Sequence, residues 1–359
     1  MPRVTVAVVP AERAESVRRE LAAREAIDPS MRIRKGDGVV MFPLRADARF
    51  DGSPHGARIM EASVDPRPRP RDPRARLRAA AEAAGLPIAA IPSRWERLGD
   101  VVIVRIPSAG RDHASAIGRL VGEALRARCV LEDVSGIRGP FRAPDVRVLW
   151  GSGTETVHTE GGIRFQLDAA RVMFASGNVV ERTAIPARIA EGEVVVDLFA
   201  GIGYFAVPIA VRSRAAAVYA CEANPVAFPY LVGNARLNRA ASLVPLLGDC
   251  RDVAPRGVAD WVLMGHFDAV RYLDVGVRCL RSEGTLVVHG LVPADEYPEA
   301  LVSQVLDGIE RAGARVDAMR GRKVKSYAPG ILHAVVEARA TSVPKEFSGV
   351  VPSVRPVTR

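Results

Sequence analysis

The sequence predicts an α/β protein in which a Rossmann-like domain follows two smaller N-terminal α+β domains. From about residue 169 to residue 340, short β-branched segments alternate with helical patterns, which is typical of a mostly parallel sheet covered by helices. One of these strands ends in an acidic residue that is followed at once by a glycine-rich turn. A stretch of alternating proline and arginine at residues 65–73 indicates a stiff linker after the first small unit.

Five segments follow from these observations. We expect a small N-terminal α/β domain at residues 1–55 and a proline- and arginine-rich linker at 56–75. A middle α+β domain that recognises RNA should follow at 76–168, then the Rossmann-like domain at 169–340 and a basic tail at 341–359. Six strands are predicted in the Rossmann-like domain: Val194–Leu198, Ala217–Cys221, Leu243–Leu247, Trp261–Met264, Thr285–His289 and His333–Glu337.

Composition narrows the classes of function. The 359-residue chain has a formal net charge of +9, which favours a polyanionic partner such as RNA, DNA or acidic lipid, although an arginine-rich proteome is an alternative explanation. No run of eighteen apolar residues is present, so we expect no membrane span. The four cysteines are widely spaced, which predicts neither a metal site nor disulfides and favours the reducing cytoplasm.

The glycine-rich turn is the sharpest local signal. An apolar strand ends in Asp197, and Gly201 and Gly203 then open a helix, so that a ligand can approach the backbone without meeting a Cβ. Taken alone, the spacing of these glycines also fits a dinucleotide fingerprint. Glu222, nineteen residues after Gly203, fits the acid that binds the ribose in that fingerprint. The motif by itself therefore leaves NAD open.

Acidic residues at three successive strand ends favour a different ligand. Asp197, Glu222 and Asp249 close the first three predicted strands of the domain, and together they outline an adenosine nucleoside. An acid at the first position suits the amino group of S-adenosylmethionine, whereas a pyrophosphate prefers a bare helix N-terminus. The sequence thus predicts a class I S-adenosylmethionine domain, with exposed loop carboxylates as the alternative for each acid taken singly.

Several segments resemble one known family. The resemblance is carried by Val172–Arg182, Asp197–Phe205 and Val324–Gly330, and it extends to Ile91–Asp100 and Gly139–Arg142. These segments resemble the tRNA guanine-37 methyltransferases and wybutosine-synthesis aminocarboxypropyltransferases, which modify the purine 3′ of the anticodon. The first 50 residues resemble the family's small N-terminal domain, which in the methyltransferases reaches the tRNA elbow. The resemblance implies a tRNA partner.

Two departures resemble the aminocarboxypropyltransferase branch. Gly265 stands where the methyltransferases carry an asparagine, and its backbone freedom would let the loop take another path. Met173–Asn178 replaces a Tyr-Phe-Ser-Pro-Arg motif. The resemblance implies transfer of the 3-amino-3-carboxypropyl group of S-adenosylmethionine to 4-demethylwyosine at position 37 of tRNA-Phe. Methylation of guanine 37 and a non-catalytic tRNA-binding role are the alternatives.

The resemblance also implies site residues. Cofactor contacts are expected, besides Asp197, Gly201 and Gly203, at Ala175, Arg182, Glu222, Asp249 and Cys250. Arg182 would hold the methionine carboxylate through a bidentate pair, unless it pairs with Glu181. Glu181 matches an acid proposed as general base in the methyltransferases and is the candidate catalytic residue; the alternative is that it positions other groups. Ala175 lacks the serine hydroxyl common in the branch, so only its backbone can contribute.

Basic residues supply the RNA contacts in this interpretation. The candidates are Arg142, Arg322, Lys323 and Lys325, and solvated basic loops are the alternative. His266 beside the predicted pocket is a further candidate for substrate contact. Displacement at a sulfonium needs little covalent help, so we expect neither a catalytic triad nor a metal. We expect a monomer that acts on tRNA in the cytoplasm, away from membranes.

Overall fold

The computed structural model describes residues 3–48, 56–66, 72–139 and 141–342. The chain divides into two units, Met1–Arg76 and Leu77–Arg359. The predicted basic tail, apart from its first two residues, and the centre of the predicted linker lie outside the described residues. No helix in the described part of the chain is long and apolar enough to cross a bilayer.

The first unit is a four-stranded sheet in the order β2-β3-β1-β4. Helix α1 (Ala14–Ala23) buries Val17 and Leu21, as its i, i+4 spacing predicts. The strands are β1 (Arg3–Pro10), β2 (Arg34–Gly36), β3 (Val39–Pro43) and β4 (Arg58–Ser63).

Strand β4 corrects the predicted linker. Residues 58–63 pair antiparallel with β1, although the linker was predicted to begin at residue 56. The sequence signal is weak because β4 is an edge strand whose first four residues are exposed. Main-chain hydrogen bonds, which leave no mark in the hydropathy pattern, hold it in the sheet.

Helix α2 (Pro73–Ala83) begins in the last residues of the first unit and continues into the second, whose first sheet has four strands in the order β5-β6-β7-β8. Helix α3 (Ala114–Leu125) connects the parallel strands β6 and β7, and its Ile117 and Val121 are fully buried. The strands are β5 (Trp95–Leu98), β6 (Val101–Val104), β7 (Cys129–Arg138) and β8 (Ala143–Gly151).

A hairpin joins this sheet to the Rossmann-like part. It consists of β9 (Glu155–Glu160) and β10 (Ile163–Asp168), and we expected it to belong to the middle domain. The apolar side chains of β10 pack into a core that holds Val195 of the large sheet together with Leu98 and Leu131 of the four-stranded sheet, so the hairpin packs against both sheets. Alternation of apolar residues predicts that a strand buries one face, but it does not say against which domain.

The large sheet has seven strands in the order β13-β12-β11-β14-β15-β17-β16. Strands β11 to β15 pair parallel with one another, whereas β17 pairs antiparallel with both β15 and β16. All six predicted strands are present. The strands are β11 (Val194–Asp197), β12 (Ala217–Glu222), β13 (Leu243–Leu247), β14 (Ala259–Met264), β15 (Leu280–Pro293), β16 (Ala314–Ala328) and β17 (Ile331–Ser342).

Edge strand β16 was not predicted. Its side chains are mostly exposed or half-buried, and five of its fifteen residues are Arg or Lys, so no apolar alternation marks it. It carries the basic run 322–325, which therefore lies on a strand and not in a loop. The helices around the sheet are α4 (Val179–Ala184), α5 (Ala206–Arg212), α6 (Phe228–Leu237), α7 (Cys250–Val253), α8 (Leu273–Cys279) and α9 (Glu299–Arg311).

Candidate functional site

Three acidic residues lie at one edge of the large sheet. Strands β11, β12 and β13 are adjacent and parallel, so their carboxyl ends meet on the same side. Asp197 and Glu222 are the last residues of β11 and β12, and Asp249 follows the end of β13 by two residues. The structure therefore brings together the three acids that the sequence placed in register.

The glycine turn is tied to the second of these acids. Gly201 and Gly203 have φ values of +58° and +96°, which L side chains rarely adopt. The backbone N–H of Gly201 donates to Glu222 Oε2 at 2.6 Å, and the N–H of Asn224 donates to Oε1 at 2.7 Å. Burial raises the pKa of the Glu222 carboxyl. Two backbone donors thus fix a carboxylate that still has lone pairs for ligand hydroxyls.

Asp197 has an unused acceptor. The side chain is fully buried, and Oδ1 accepts a hydrogen bond of 3.2 Å from the Phe199 N–H. Its Oδ2 has no hydrogen-bond partner among the described residues. Burial, reinforced by the nearby Glu222 carboxylate, raises the pKa of Asp197 to about 7. A buried carboxylate of this kind is suited to a cationic group, because an unpaired buried charge is costly. Asp197 therefore fits the amino group of S-adenosylmethionine.

The third acid already has a partner in the protein. Asp249 caps the short helix α7 by accepting from the Arg251 N–H at 2.9 Å, and its Oδ2 lies 2.6 Å from Arg251 Nη2. The guanidinium lowers the pKa of Asp249. Cys250 is buried beside it, and burial raises the pKa of its thiol to about 12. An adenine contact at Asp249 therefore has to share the carboxylate with Arg251, a residue that the sequence analysis missed.

Arg182 forms the expected bidentate pair, but with a protein carboxylate. Its side chain is 1% exposed, and Nε and Nη2 donate to the two oxygens of Glu160 at 2.9 and 2.8 Å. Nη1 donates to the Ala175 carbonyl at 2.9 Å. The predicted alternative, a pair with Glu181, is wrong. Glu160 lies 22 residues away on the β9–β10 hairpin, and nothing in the sequence marked it as the partner.

The rings of Phe174 and Tyr204 flank the same guanidinium. Its central carbon lies 5.2 Å from the Phe174 centroid and 5.7 Å from the Tyr204 centroid. The Tyr204 hydroxyl donates to the Met173 carbonyl. Arg182 therefore anchors the segment 172–182 from inside, through a carboxylate, a carbonyl and two aromatic rings.

Glu181 is paired with Arg322. Glu181 is 6% exposed, and Arg322 Nη2 donates to its Oε2. Arg322 also lies 3.8 Å from Glu337, whose carboxylate accepts a 2.8 Å hydrogen bond from Arg188. The sequence analysis assigned Arg322 to RNA phosphates. The structure corrects this assignment, since edge strand β16 directs the guanidinium toward the interior carboxylates.

Two of the three remaining predicted RNA contacts lie near the segment 172–182. Arg142 Nε contacts Met173 Sδ at 3.2 Å. The Lys325 ammonium lies directly against Gly177, where a Cβ would collide with it. Lys323 is exposed on β16. Arg142 and Lys325 are thus brought to one segment from two distant parts of the chain.

Gly265 follows the end of β14, but its backbone lies outside the left-handed region. The conformation of Gly265 therefore does not require glycine, and the expectation that its backbone freedom redirects the loop stays a prediction. What the glycine provides is space, because a Cβ there would lie 3.3 Å from the Phe205 ring. His266 packs 5.3 Å from Phe199, and its Nδ1 accepts from the Asp268 N–H at 3.2 Å. Burial lowers the pKa of His266.

We expect Glu222→Ala to weaken S-adenosylmethionine binding by about 1–3 kcal/mol, because ribose hydroxyls and the Gly201 N–H would lose their acceptor. Titration calorimetry measures this change. Binding of NAD by the parent protein, with no heat from S-adenosylmethionine, would contradict the assignment of the pocket.

Three family models match the chain in succession. Residues 8–50 match the tRNA methyltransferase 5 N-terminal domain, and residues 85–154 match the TYW2 N-terminal domain. Residues 156–317 match the TRM5/TYW2 methyltransferase domain, which holds the acids at the strand ends. The models thus cover both units of the chain.

Named relatives come from both branches of this family. A tRNA(Phe) (4-demethylwyosine(37)-C(7)) aminocarboxypropyltransferase of Methanocaldococcus jannaschii is 37% identical, over 68% of this chain and 97% of that protein. The tRNA (guanine(37)-N(1))-methyltransferase Trm5b of Pyrococcus abyssi is 29% identical, over 94% of this chain and 100% of that protein.

A solved structure shares the fold. The crystal structure of M. jannaschii TYW2 in complex with AdoMet superposes with a TM-score of 0.58 at 33% identity, covering 70% of this chain and 100% of that one. The site geometry, the matched models and the relatives agree, and the chain belongs to the TRM5/TYW2 family.

Proposed function

We propose that the protein transfers the 3-amino-3-carboxypropyl group of S-adenosylmethionine to 4-demethylwyosine at position 37 of tRNA(Phe), a step in wybutosine-type biosynthesis. The reaction is that of a relative with 37% identity over almost its whole length. The observation in the structure that carries the cofactor assignment is the buried, unpaired Oδ2 of Asp197 beside the glycine turn. The absence of a side chain at Gly265, next to Phe205, supports the aminocarboxypropyl branch.

The protein's part is to bind and orient. Bound S-adenosylmethionine supplies carbon atoms activated by a sulfonium. Asp197 would accept from its amino group, Glu222 from its ribose hydroxyls, and Asp249 with Cys250 would lie at the adenine. In-line displacement depends on which carbon faces the nucleophile, so orientation within about an ångström selects the product. No metal is required, because a neutral thioether is already a good leaving group.

Two ion pairs, one buried and one partly exposed, hold segment 172–182 beside this pocket. Glu160 pairs with Arg182, and Arg322 pairs with Glu181. Both of these neighbouring charged residues are therefore held in place. We infer that Glu181 acts as a positioning residue, since its carboxylate is neutralised by Arg322. Arg182 orders the Ala175 carbonyl in the same way. Such preorganisation is what a displacement reaction needs from the protein.

The by-product distinguishes the two branches. Aminocarboxypropyl transfer releases methylthioadenosine, whereas methyl transfer releases S-adenosylhomocysteine. We expect chromatography to show methylthioadenosine after turnover on tRNA(Phe) that carries 4-demethylwyosine, and the modified nucleoside should gain the corresponding side chain. A parallel reaction on tRNA with guanosine at position 37 is the control.

S-adenosylhomocysteine as the only by-product, with both RNAs offered, would assign the protein to the methyltransferase branch. Binding of tRNA and cofactor without any product would favour the non-catalytic alternative.

We further propose that the protein works as a monomer in the cytoplasm. The four cysteines are free and buried, which suits a reducing compartment. Exposed Lys323 and the cations near segment 172–182 support a surface that follows phosphates. Sedimentation in the presence and absence of tRNA measures the oligomeric state.

A further inference from the structure

Two aromatic rings and a guanidinium cluster beside segment 172–182, and one ring is exposed while the other two side chains are half-buried. The Phe267 and Tyr327 rings meet edge to face, with centroids 5.1 Å apart and an interplanar angle of 77°. The Arg142 guanidinium lies 4.9 Å from the Phe267 centroid. Tyr327 is 51% exposed. We call Arg142, Phe267 and Tyr327 the stacking patch.

The stacking patch has a firm base. The His333 ring lies 5.1 Å from Phe267, and His333 Nε2 is 2.9 Å from His289 Nδ1. Both histidines are buried, and burial lowers their pKa values to about 4 and about 3. They are therefore neutral near pH 7. Phe267 thus rests on an uncharged aromatic layer inside the sheet and cannot easily retreat when a ligand presses on it.

The position of the patch connects it with the reaction site. Arg142 contacts Met173 through its Nε, and Tyr327 is two residues beyond Lys325, which lies against Gly177. Phe267 is two residues beyond Gly265. All three members are thus tied to segment 172–182 or to the loop that follows β14.

The chemistry of the patch selects a partner. A solvent-exposed aromatic ring offers a flat face that any nucleobase can stack on, and stacking of this kind contributes about 1–3 kcal/mol per base. A guanidinium beside it can bind the phosphate that accompanies the base. Sequence-tolerant recognition of single-stranded RNA loops uses this combination of aromatic and basic groups.

We propose that the stacking patch receives an unpaired base of the anticodon loop adjacent to the base that is modified. Tyr327 supplies the stacking face, Phe267 supports Tyr327, and Arg142 holds the neighbouring phosphate. This inference rests on the proposed function for its choice of RNA, but it concerns binding and needs no turnover.

The test measures affinity for a fluorescently labelled anticodon stem-loop of tRNA(Phe) at several salt concentrations. We expect Tyr327→Ala to weaken binding by roughly 5- to 150-fold, the equivalent of one lost stacking contact. The slope of log Kd against log salt should stay the same, because no phosphate contact is removed. Tyr327→Phe keeps the ring and should bind like the parent protein.

Two comparison variants make the result specific. Lys323→Ala removes an exposed charge on β16 and should lower the salt slope with a smaller loss of affinity. Val211→Ala changes an exposed apolar side chain near the end of α5, outside the stacking patch, and should have no effect. All variants should keep the parental tryptophan fluorescence and denaturation midpoint.

Unchanged affinity in Tyr327→Ala overturns the proposal. A smaller slope of log Kd against log salt in Tyr327→Ala would also overturn it, and so would a loss of binding in Tyr327→Phe. Either result would show that the ring is not a stacking face. If the expected binding pattern appears but no aminocarboxypropyl product forms, the proposed function fails and the stacking patch stands.

Discussion

Glu160→Ala should reduce the free energy of unfolding of the second unit by about 3–5 kcal/mol. The loss is large because the variant leaves the guanidinium of Arg182 without its carboxylate at a site where that side chain is 1% exposed. Denaturant titration followed by tryptophan fluorescence measures it. The chain has three tryptophans, Trp95, Trp150 and Trp261, and all lie in the second unit, so the signal does not mix the two units.

A matched control is available on the surface. Glu191 pairs with Arg214 at 2.9 Å, but both side chains are more than 70% exposed. Glu191→Ala should therefore change stability by less than about 1 kcal/mol. Replacing the buried pair by Leu at position 160 and Met at position 182 should recover much of the loss, since no charge remains buried. Equal changes in the free energy of unfolding for Glu160→Ala and Glu191→Ala would contradict the claim that the burial of the Glu160–Arg182 pair makes it important for stability.

Asp197→Asn should weaken S-adenosylmethionine binding by about 10- to 100-fold above pH 7, where the parental carboxyl is charged. The variant keeps the size of the side chain but cannot offer a charged acceptor to an ammonium group. Parental affinity should fall as the pH drops below about 7, because binding then has to displace the proton from Asp197. The variant should lack this proton-linked component in calorimetry with buffers of different ionisation enthalpy.

Stability should change in the opposite direction. The pKa of Asp197 is raised from 3.8 to about 7 by burial, so the unfolded chain gives up this proton at a lower pH than the folded protein does. The parent protein without cofactor therefore loses stability, relative to Asp197→Asn, as the pH rises from about 4 to about 7, and the difference is constant above that. Parallel stability curves for the two proteins across this range would show that Asp197 does not titrate as its burial implies.

The acids and the glycine turn at the carboxyl ends of β11, β12 and β13 could be predicted because the sequence patterns that mark them are local. Asp197, Gly201 and Gly203 sit within seven residues, and the left-handed φ values of the two glycines are what such a turn requires. Glu222 and Asp249 each follow an apolar strand, and parallel strands bring their carboxyl ends to one side. Local pattern and parallel topology together were enough to assemble these acids.

The partners of the charged side chains could not be predicted in the same way. Arg182 was expected to meet a ligand or Glu181, and it pairs with Glu160. Arg322 was expected to meet phosphates, and it pairs with Glu181, 141 residues earlier in the chain. A charge in a sequence has many possible partners, and only the packing of separate elements decides between them.

The sequence by itself therefore determined the Rossmann-like class, the acidic residue at the end of each of three successive strands, and the family that the surrounding segments resemble. The tertiary structure decided that β4 and β16 are edge strands, that β10 packs into a core shared by the four-stranded and the large sheet, and that two ion pairs anchor segment 172–182. The physical reason is the range of the interactions. Hydrophobic periodicity and turn geometry act between near neighbours in the chain, whereas edge-strand pairing and buried ion pairs join residues whose separation in sequence carries no signal.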